Sequence, residues 1–375
     1  MTVYNILLNR IRQLNAANNH LEVRTPLIWK SELYKTSGHL DHYSQNMFSI
    51  HEGNVAKLPD QEDNIYGWLK PMNCPGHMEV FRSKQWSYKD LPVGFAEYSP
   101  LHRNETSGAI GGLTRTRCFC QDDAHVFCSP ETLQPEIKKI ISMIDEVYSK
   151  WFDMKYRAVL STRPKEFMGQ ARTWDAAEAA LAHALNDYGM NGKVEIAEGD
   201  GAFYGPKIDF IVQDALGREW QTATIQLDFQ LPEKFELEYT DADNHQKQPI
   251  VIHRAIFGSF ERFIAILLES TGGKLPFWLA PVSVAVLPIS DKAAEYSREI
   301  YEKLLAIGVR AELDNSNSTL SQKILVSHNK QIPYLAIVGN IEEKNRTVTV
   351  RYNLQQQEIL PLDEFFPRMM NLNEL

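Results

Sequence analysis

The sequence predicts an α/β protein built from two domains, residues 1–280 and residues 281–375. In the first part, several strand-like segments carry charged, amide and histidine side chains at alternate positions, which places those side chains on one face of a sheet. Beyond the proline-bounded stretch 276–281, strands alternate with helices. That alternation is typical of a small α/β domain with a largely parallel sheet.

Composition and charge limit the class of protein. Hydrophobic residues make up 43% of the chain and charged residues 23%, as expected of a globular protein with an ample core. The formal net charge of -9 argues against a generally basic nucleic-acid-binding surface, although a local basic tract is compatible with it. The four irregularly spaced cysteines favour a reducing compartment over a disulfide framework. With no signal-peptide layout and no sufficiently long apolar run, we expect a cytoplasmic protein that does not span a membrane.

The N-terminal segment predicts a helix followed by a strand that meets a proline. Residues 2–15 carry apolar side chains at helical spacing, and residues 22–28 have the character of a strand. Because Pro26 cannot donate to a strand ladder, this strand should lie at a sheet edge, a bulge or a subunit boundary. The polar stretch 52–64 predicts an exposed loop, and residues 130–150 and 174–188 predict helices.

Residues 98–128 hold the densest set of chemically useful side chains. Arg103 and Glu105 precede a glycine-rich turn, and Arg115 follows it. The period is two along the next residues, so one strand face carries Arg117, Phe119, Gln121, Asp123 and His125. The pattern predicts two strands joined by a flexible loop. Arginines held on rigid strands suit bidentate binding of phosphate oxygens, whereas a solvated hairpin with surface ion pairs is the alternative.

Two later segments place further polar groups on strands. Residues 218–229 predict a strand with a polar row consisting of Thr224, Gln226 and Asp228, and Gln221 lies one register away from that row. A buried unpaired polar group costs on the order of 1–3 kcal/mol, so the row favours a ligand-lined or water-lined site over a sheet face open to solvent. Residues 250–268 predict a strand, a glycine turn and an apolar helix. Arg262, in the first turn of that helix, can reach a phosphate near the helix N-terminus.

Two shorter segments are individually ambiguous. Cys74 lies in the rigid turn Met-Asn-Cys-Pro-Gly-His at residues 72–77, although a lone cysteine is more often a small buried apolar residue than a ligand. His39 follows Gly38 in a polar turn, where a solvated histidine is an equally natural interpretation.

Taken together, these segments resemble the threonyl-tRNA synthetases, which are class II aminoacyl-tRNA synthetases. Residues 2–28 resemble their motif 1, residues 98–128 their motif 2, residues 250–263 their motif 3, and residues 72–77 their zinc-cysteine segment. The resemblance implies a catalytic domain at residues 1–280 with a mixed, mainly antiparallel sheet. It also implies a small α/β anticodon-binding domain at residues 281–375 and a homodimer formed through the motif 1 region.

The resemblance implies that the chain activates L-threonine with ATP and transfers it to the 3'-terminal adenosine of tRNA(Thr). Arg103 and Arg262 would be catalytic, clamping the α-phosphate, and Mg²⁺ would accompany ATP. The other implied ATP-binding residues are Glu105, Arg115, Phe119 and Gln221. The implied threonine-binding residues are Met72, Gln121, Asp123, Tyr204 and Ser259, and the implied tRNA-binding residues are His39, Asn317, Glu342 and Arg351.

One Zn²⁺ per subunit is also implied, held by Cys74, His125 and His253. Three protein ligands leave a zinc position open for the amino and hydroxyl groups of threonine. Valine has no hydroxyl to offer, and a site built around a polar contact rejects the analogue that lacks it. Serine keeps both groups. Because the resemblance also implies that the N-terminal editing region of the family is missing, we expect this chain alone to mischarge serine.

Some positions depart from the family. Cys118 stands where the family usually has glycine, and residues 314–319 and 323–325 differ from the basic segment usual in its anticodon-binding domain. A synthetase-like regulatory or amino-acid-binding paralogue without tRNA charging is therefore the alternative function. Another class II specificity, such as proline or serine, is disfavoured by the three implied zinc ligands.

Overall fold

The computed structural model describes residues 1–51, 65–190, 194–202, 204–352 and 356–374, so the loop predicted at 52–64 lies outside the described residues. The chain forms two compact units. One is Leu8–Ile266, and the other combines Met1–Leu7 with Leu267–Leu375. The domain boundary at residue 280 stays a prediction. Within the described ranges, no helix is long and apolar enough to cross a membrane.

The helices up to residue 271 are α1 Thr2–Ala17, α2 Ser31–Thr36, α3 His39–His42, α4 Cys74–Arg82, α5 Pro130–Asp145, α6 Ala171–Asp187, α7 Gln230–Lys234 and α8 Phe260–Thr271. The helix predicted over residues 2–15 is confirmed. Helix α5 begins at Pro130 because Ser129 and Thr132 cap it: the Ser129 amide donates to the Thr132 hydroxyl at 3.0 Å. The predicted continuation to residue 150 becomes a π-helix, Glu146–Trp151.

The strands of the larger unit are β1 His20–Glu22, β2 Ile28–Trp29, β3 Ser49–His51, β4 Ile65–Leu69, β5 Val93–Glu97, β6 Pro100–His102, β7 Cys118–Cys120, β8 Asp123–Cys128, β9 Tyr156–Ser161, β10 Val194–Ala197, β11 Lys207–Gln213, β12 Glu219–Asp228, β13 Tyr239–Thr240, β14 Gln246–Lys247 and β15 Ile250–Ala255. The main sheet has eight strands in the order β1-β5-β8-β15-β12-β11-β9-β10. Its outermost pairs, β1 with β5 and β9 with β10, are parallel, and the other pairs are antiparallel. The predicted mixed, mainly antiparallel sheet is confirmed.

The two faces of this sheet are used differently. Helix α5 lies against β8, β12 and β15, with Ile137, Ile140 and Ile144 fully buried. Cys128 of β8 and Glu136 of α5 are both buried where the strand and the helix meet. Because side chains alternate along a strand, His125 points to the other face. Packing of α5 against the apolar face therefore holds the strands in place, and the same strands carry the polar row on their other face.

Two predicted strands are interrupted. Strand β7 pairs with β6 in a separate two-stranded sheet, and the chain joins the main sheet only at β8. The break occurs at Asp122, whose buried carboxylate accepts the backbone amides of Ile256 and Phe257 at 2.8 and 2.9 Å. The strand predicted at 22–28 is broken between β1 and β2, because Thr25 donates its amide and hydroxyl to Glu97 instead of to a neighbouring strand.

The C-terminal part forms a five-stranded sheet in the order β17-β16-β18-β19-β20. Strands β16, β17 and β18 are parallel, but β19 and β20 pair antiparallel, so the expectation of a largely parallel sheet is only half right. The strands are β16 Val284–Pro288, β17 Ala311–Leu313, β18 Tyr334–Val338, β19 Thr347–Arg351 and β20 Gln357–Pro361, and the helices are α9 Ala294–Ala306, α10 Leu320–Asn329, α11 Asn340–Asn345 and α12 Leu362–Asn373.

Candidate active site

A cavity of about 450 Å³ opens on the polar face of the main sheet. Every residue predicted to bind ATP, threonine or zinc contributes to its wall. These are Met72, Cys74, Arg103, Glu105, Arg115, Phe119, Gln121, Asp123, His125, Tyr204, Gln221, His253, Ser259 and Arg262. The structure therefore brings together side chains that the sequence places in five separate segments.

Strand register explains how the centre of the cavity is assembled. His253 of β15 lies directly opposite His125 of β8 on one side and Gln226 of β12 on the other. Side chains of directly opposed residues share one face of a sheet. Three neighbouring strands thus deliver two imidazoles and an amide to one patch of the cavity wall.

One end of the cavity holds an arginine cluster, Arg103, Arg115 and Arg262. Each donates its Nε–H to a fixed acceptor: Arg103 to the Pro71 carbonyl at 3.2 Å, Arg115 to the Glu105 carboxylate at 3.1 Å and Arg262 to the Thr114 carbonyl at 2.8 Å. These bonds set the direction of each guanidinium. Burial, together with the positive charges of Arg115 and Arg103, lowers the pKa of Arg262. A concentration of positive charge with fixed donors suits a polyphosphate.

An aromatic ring lies beside this cluster. The guanidinium carbon of Arg103 is 5.0 Å from the centre of the Phe119 ring. The Glu105 carboxylate forms an ion pair with Arg115 at 2.9 Å. Glu105 therefore positions an arginine as well as bordering the cavity.

Gly258 links the cluster to the sheet. Its φ of +77° lies in the left-handed region, and a Cβ at this position would be 2.6 Å from the Thr222 carbonyl oxygen. Glycine is therefore required at the turn into α8. Ser259 follows it and caps the helix, because its hydroxyl accepts the Arg262 amide at 3.2 Å.

The opposite end of the cavity is lined by groups that suit a small polar ligand. The Asn73 amide donates to the Asp123 carboxylate at 2.9 Å. The Tyr204 hydroxyl donates to the Gln226 side chain at 2.8 Å. Gln121 forms an isolated antiparallel bridge with Ser259, which connects the end of β7 to the start of α8.

Cys74, His125 and His253, here called the ligand triad, also line this cavity. One potential ligand atom from each lies within 4.8 Å of the others, and all three residues are buried. His125 Nε2 and His253 Nδ1 face each other at 2.9 Å. Two imidazole nitrogens and a thiol form a donor set typical of zinc.

The hydrogen bonds behind the two histidines assign their tautomers. His253 Nε2 is 2.8 Å from the Asp228 carboxylate, which only accepts, so this nitrogen carries the proton and Nδ1 presents a lone pair. His77 Nε2 likewise donates to the Glu97 carboxylate at 3.1 Å, so His77 Nδ1 accepts from His125 Nδ1 at 2.8 Å. His125 Nε2 is then also a lone pair. With these tautomers both facing nitrogens are free to bind a cation, so the triad fits a metal ion.

Burial governs the ionisation of the triad. It raises the pKa of the Cys74 thiol, with the negative charge of Asp123 adding to the effect. It also lowers the pKa of His125 well below its ordinary value, and the neighbouring His253 adds to that effect. A neutral imidazole is the form that binds a metal, and a bound cation would favour the thiolate of Cys74.

His39 lies beside the main cavity. With Met72, Cys74 and Tyr204, which also line the main cavity, it borders a smaller cavity of about 50 Å³. His39 Nδ1 is 2.8 Å from the Ser37 hydroxyl. Burial, with a contribution from the charge of Arg103, lowers the pKa of His39 to about 4.

The remaining predicted tRNA-binding residues belong to the C-terminal part. Asn317 is exposed in the turn before α10. The Glu342 carboxylate accepts the Thr349 hydroxyl and the Gly339 amide at 2.8 and 2.9 Å, so it stabilises the start of α11. Arg351 borders a different cavity of about 540 Å³ that also contains Tyr334 and Tyr352. The structure does not gather these three residues in one cavity.

Sequence reasoning missed several residues of the site. Lys207 lines the cavity and pairs with Asp209 at 2.7 Å, and their alternate positions on β11 were the available signal. Gln221 was expected one register away from Thr224. A bulge in β12 removes that offset, and the Gln221 amide reaches both Thr224 and Asp209, at 3.1 and 2.6 Å.

Comparisons with known proteins agree with this architecture. Residues 57–271 match the family described as the tRNA synthetase class II core domain (G, H, P, S and T), and residues 283–371 match an anticodon binding domain. The chain is 45% identical over 360 residues to threonine–tRNA ligase 2 of Bacillus subtilis, covering 96% of this chain and 54% of that protein. It is 46% identical to the threonine–tRNA ligase of Carboxydothermus hydrogenoformans, covering 94% and 53%. The chain thus spans about half the length of these curated relatives.

Solved structures extend the comparison. The RNA binding domain of threonyl-tRNA synthetase from Cryptosporidium parvum has a TM-score of 0.91 and 42% identity, covering 99% of this chain and 90% of that one. A putative threonyl-tRNA synthetase from Aeropyrum pernix has a TM-score of 0.83 and 28% identity, covering 100% and 88%. A prolyl-tRNA synthetase from Cryptosporidium parvum, with a TM-score of 0.75 and 17% identity over 100% and 69%, shares the fold.

The match to the core-domain family covers more than half of the chain, which makes this protein a class II tRNA synthetase by family. Within that class, the chain belongs to the threonyl-tRNA synthetase family, since a threonyl-tRNA synthetase chain of which it covers 90% is 42% identical to it.

Proposed function

We propose that this chain activates L-threonine with ATP and transfers the threonyl group to the 3'-terminal adenosine of tRNA(Thr). The observation that carries the proposal is that one cavity is lined by both the arginine cluster and the ligand triad. A phosphate-binding end next to a donor set for a small polar ligand suits an enzyme that joins an amino acid to a nucleotide.

At the ATP end, the threonine carboxylate would attack the α-phosphorus and pyrophosphate would leave. Arg103 and Arg262 would stabilise the charge that develops on the α-phosphate, and Arg115 would hold the outer phosphates. Their Nε–H bonds to Pro71, Thr114 and Glu105 fix them before ATP arrives, so little reorganisation is needed. Mg²⁺ would accompany ATP and offset its charge, Phe119 would stack on adenine, and Gln221 would contact the nucleotide.

At the threonine end, the ligand triad would hold Zn²⁺, which supplies an open coordination position for the amino and hydroxyl groups of the substrate. Asp123 would accept a hydrogen bond from the threonine hydroxyl, and the Asn73 amide holds that carboxylate in place. Met72, Gln121, Tyr204 and Ser259 would complete the pocket wall. Valine fills the same volume but leaves these polar groups unpaired, which disfavours it strongly.

The tRNA partner is part of the same proposal. His39, beside the threonine end, would contact the acceptor end, where the ribose hydroxyl of the terminal adenosine attacks the threonyl carbonyl and AMP leaves. Asn317, Glu342 and Arg351 would contact the anticodon arm. A homodimer through the motif 1 region and a cytoplasmic location complete the proposal.

Threonine-dependent exchange of pyrophosphate into ATP tests the activation step. Exchange with threonine, none with valine and loss after zinc chelation are expected, with recovery when zinc is restored. Charging of tRNA(Thr) then tests the transfer step. A folded, zinc-loaded protein that catalyses no exchange would overturn the proposal in favour of a regulatory or amino-acid-binding paralogue.

A further inference from the structure

Behind the ligand triad lies a buried polar row that the chemistry above does not use. Lys70, His77 and Glu97 are completely buried. None of these three described side chains lines the cavity. Lys70 Nζ is 2.7 Å from Glu97 Oε1, and Glu97 Oε2 is 3.1 Å from His77 Nε2. His77 Nδ1 continues the row to His125 Nδ1 at 2.8 Å.

This row connects the Lys70–Glu97 ion pair to the Nδ1 side of His125. Hydrogen bonds from His77, Lys70 and Ser99 outweigh the effect of burial and lower the pKa of Glu97 to about 2. An ionised Glu97 accepts from His77 Nε2, and in a neutral His77 ring Nδ1 is then the acceptor. The proton of His125 must then lie on Nδ1, away from Cys74 and His253.

We propose that His77, supported by Glu97 and Lys70, is a positioning residue that fixes the tautomer and ring orientation of His125, so that His125 Nε2 is offered to the metal. This inference rests on the proposed zinc site. His77 does not touch the metal or the substrate; it acts through His125, as Asp228 acts through His253.

Each member of the row has a distinct part. A buried carboxylate without a cation would tend to take up a proton, and Lys70 prevents this. Thr25 and Ser99 also donate to Glu97, at 2.8 and 2.5 Å, and hold the carboxylate toward His77. His77 lies between Glu97 and His125 and forms a hydrogen bond with each of them. Glu97 supports His125 only through the imidazole of His77. The spacing of residues near His125 in the sequence therefore does not reveal this carboxylate.

The test is zinc affinity, measured by competition with a chelator of known zinc affinity on the whole chain. His77→Phe keeps an aromatic ring in the core but offers no acceptor to His125. We expect it to weaken zinc binding by about 10–100-fold, the usual effect of removing an outer-shell partner. His77→Gln offers an amide oxygen and should recover part of the loss. The absorption spectrum of the Co²⁺-substituted protein should shift in His77→Phe, because the ligand field of His125 changes.

The matched control is His20→Phe, the same substitution at a buried histidine of β1. No hydrogen bond in the described part of the chain joins His20 to the ligand triad, so its zinc affinity and Co²⁺ spectrum should equal those of the unchanged protein. Circular dichroism melts show whether each variant is folded.

The outcomes separate the two proposals. If the unchanged chain binds no zinc, the zinc site of the proposed function fails. If it binds zinc and folded His77→Phe binds equally tightly with the same spectrum, the zinc site stands and the positioning role is overturned. If His77→Phe does not fold, His77→Gln decides by the same two measurements. Loss of folding in both variants, with and without zinc, would make His77 a core residue and reject the positioning role.

Discussion

The backbone amide of Cys120 donates to the Glu261 carboxylate at 3.0 Å, although the two residues are 141 positions apart. Cys120 ends β7, and Glu261 lies in the first turn of α8. Together with the Gln121–Ser259 bridge, this bond ties the segment that carries Arg115 and Phe119 to the helix that carries Arg262. These contacts connect Arg115 and Arg262 of the cluster through the backbone.

Arg262 should be the most sensitive member of the cluster. Arg262→Lys keeps the charge but loses the Nε–H bond to Thr114 and the planar fork. We expect the maximal rate of threonine-dependent pyrophosphate exchange to fall by about 100-fold, equivalent to about 3 kcal/mol of transition-state stabilisation. Arg172→Lys, at an exposed arginine of α6, is the control. A decrease of less than about threefold in Arg262→Lys would remove Arg262 from the catalytic set.

Asp123 should act on the amino acid and not on ATP. Asp123→Asn removes the charge that we propose accepts a hydrogen bond from the threonine hydroxyl, while keeping the size of the side chain. We expect the KM for threonine to rise by roughly tenfold or more, because a hydrogen bond to a charged group is worth about 1.5–3 kcal/mol. The KM for ATP should stay within about twofold. Asp187→Asn, at an exposed ion pair with Lys138, is the matched control. Equal changes in both KM values would contradict this assignment.

Gly258 should tolerate no side chain. Gly258→Ala combines an unfavourable φ of +77° with a Cβ placed 2.6 Å from the Thr222 carbonyl oxygen. Gly217 has nearly the same φ, +76°, and nothing within 4 Å of an added Cβ. Gly217→Ala should therefore lower the free energy of unfolding by only about 1 kcal/mol, and Gly258→Ala by several times as much. Denaturant unfolding of both variants measures the difference. Equal losses would mean that the contact with Thr222 relaxes.

His39 should make stability depend on pH. Its pKa in the folded chain is about 4, below the ordinary value of 6.5, because burial and the charge of Arg103 disfavour the imidazolium. As the pH falls through about 6.5, the unfolded chain takes up this proton first, so the free energy of unfolding decreases. Between about pH 7 and about pH 5, His39 should account for a loss of about 2 kcal/mol.

The test of that dependence is the denaturant midpoint at the two pH values. His39→Gln should lose less stability than the unchanged chain over this interval, by about the same 2 kcal/mol. His42→Gln, at the exposed last residue of α3, is the control and should follow the unchanged chain. Parallel curves for all three proteins would show that His39 is charged alike in the folded and unfolded chains.

The sequence predicted which residue types the site uses better than it predicted how they meet. Helical spacing predicted α1, and the resemblance to class II synthetases predicted the mixed, mainly antiparallel sheet. The pairing of His125 with His253 depends on strand register, and Cys74 reaches them from the start of α4, neither of which a local pattern encodes. The alignment of Gln221 with Thr224 depends on a bulge that alternation alone does not show.

The break at Asp122 escaped prediction for a related reason. A period of two runs through residues 117–125 without interruption, yet the chain leaves one sheet for another at Asp122. Its cause is a partner far along the chain: the amides of Ile256 and Phe257 bind this carboxylate. The hydrogen bonds between the buried Asp122 carboxylate and these distant amides outweighed the local preference for a continuous strand.

The Lys70–Glu97 pair constrains how this protein can change over evolutionary time. Both side chains are fully buried, 2.7 Å apart. Loss of either partner leaves the other charge buried and unpaired. The cost is about 3–5 kcal/mol, which is a large part of the free energy of unfolding of a typical domain. Replacing both with well-packed apolar residues can be harmless to folding. Evolutionary replacement of this pair therefore requires two mutations together. Proteins that carry only one of the two mutations should be unstable, so we expect descendants to keep the pair.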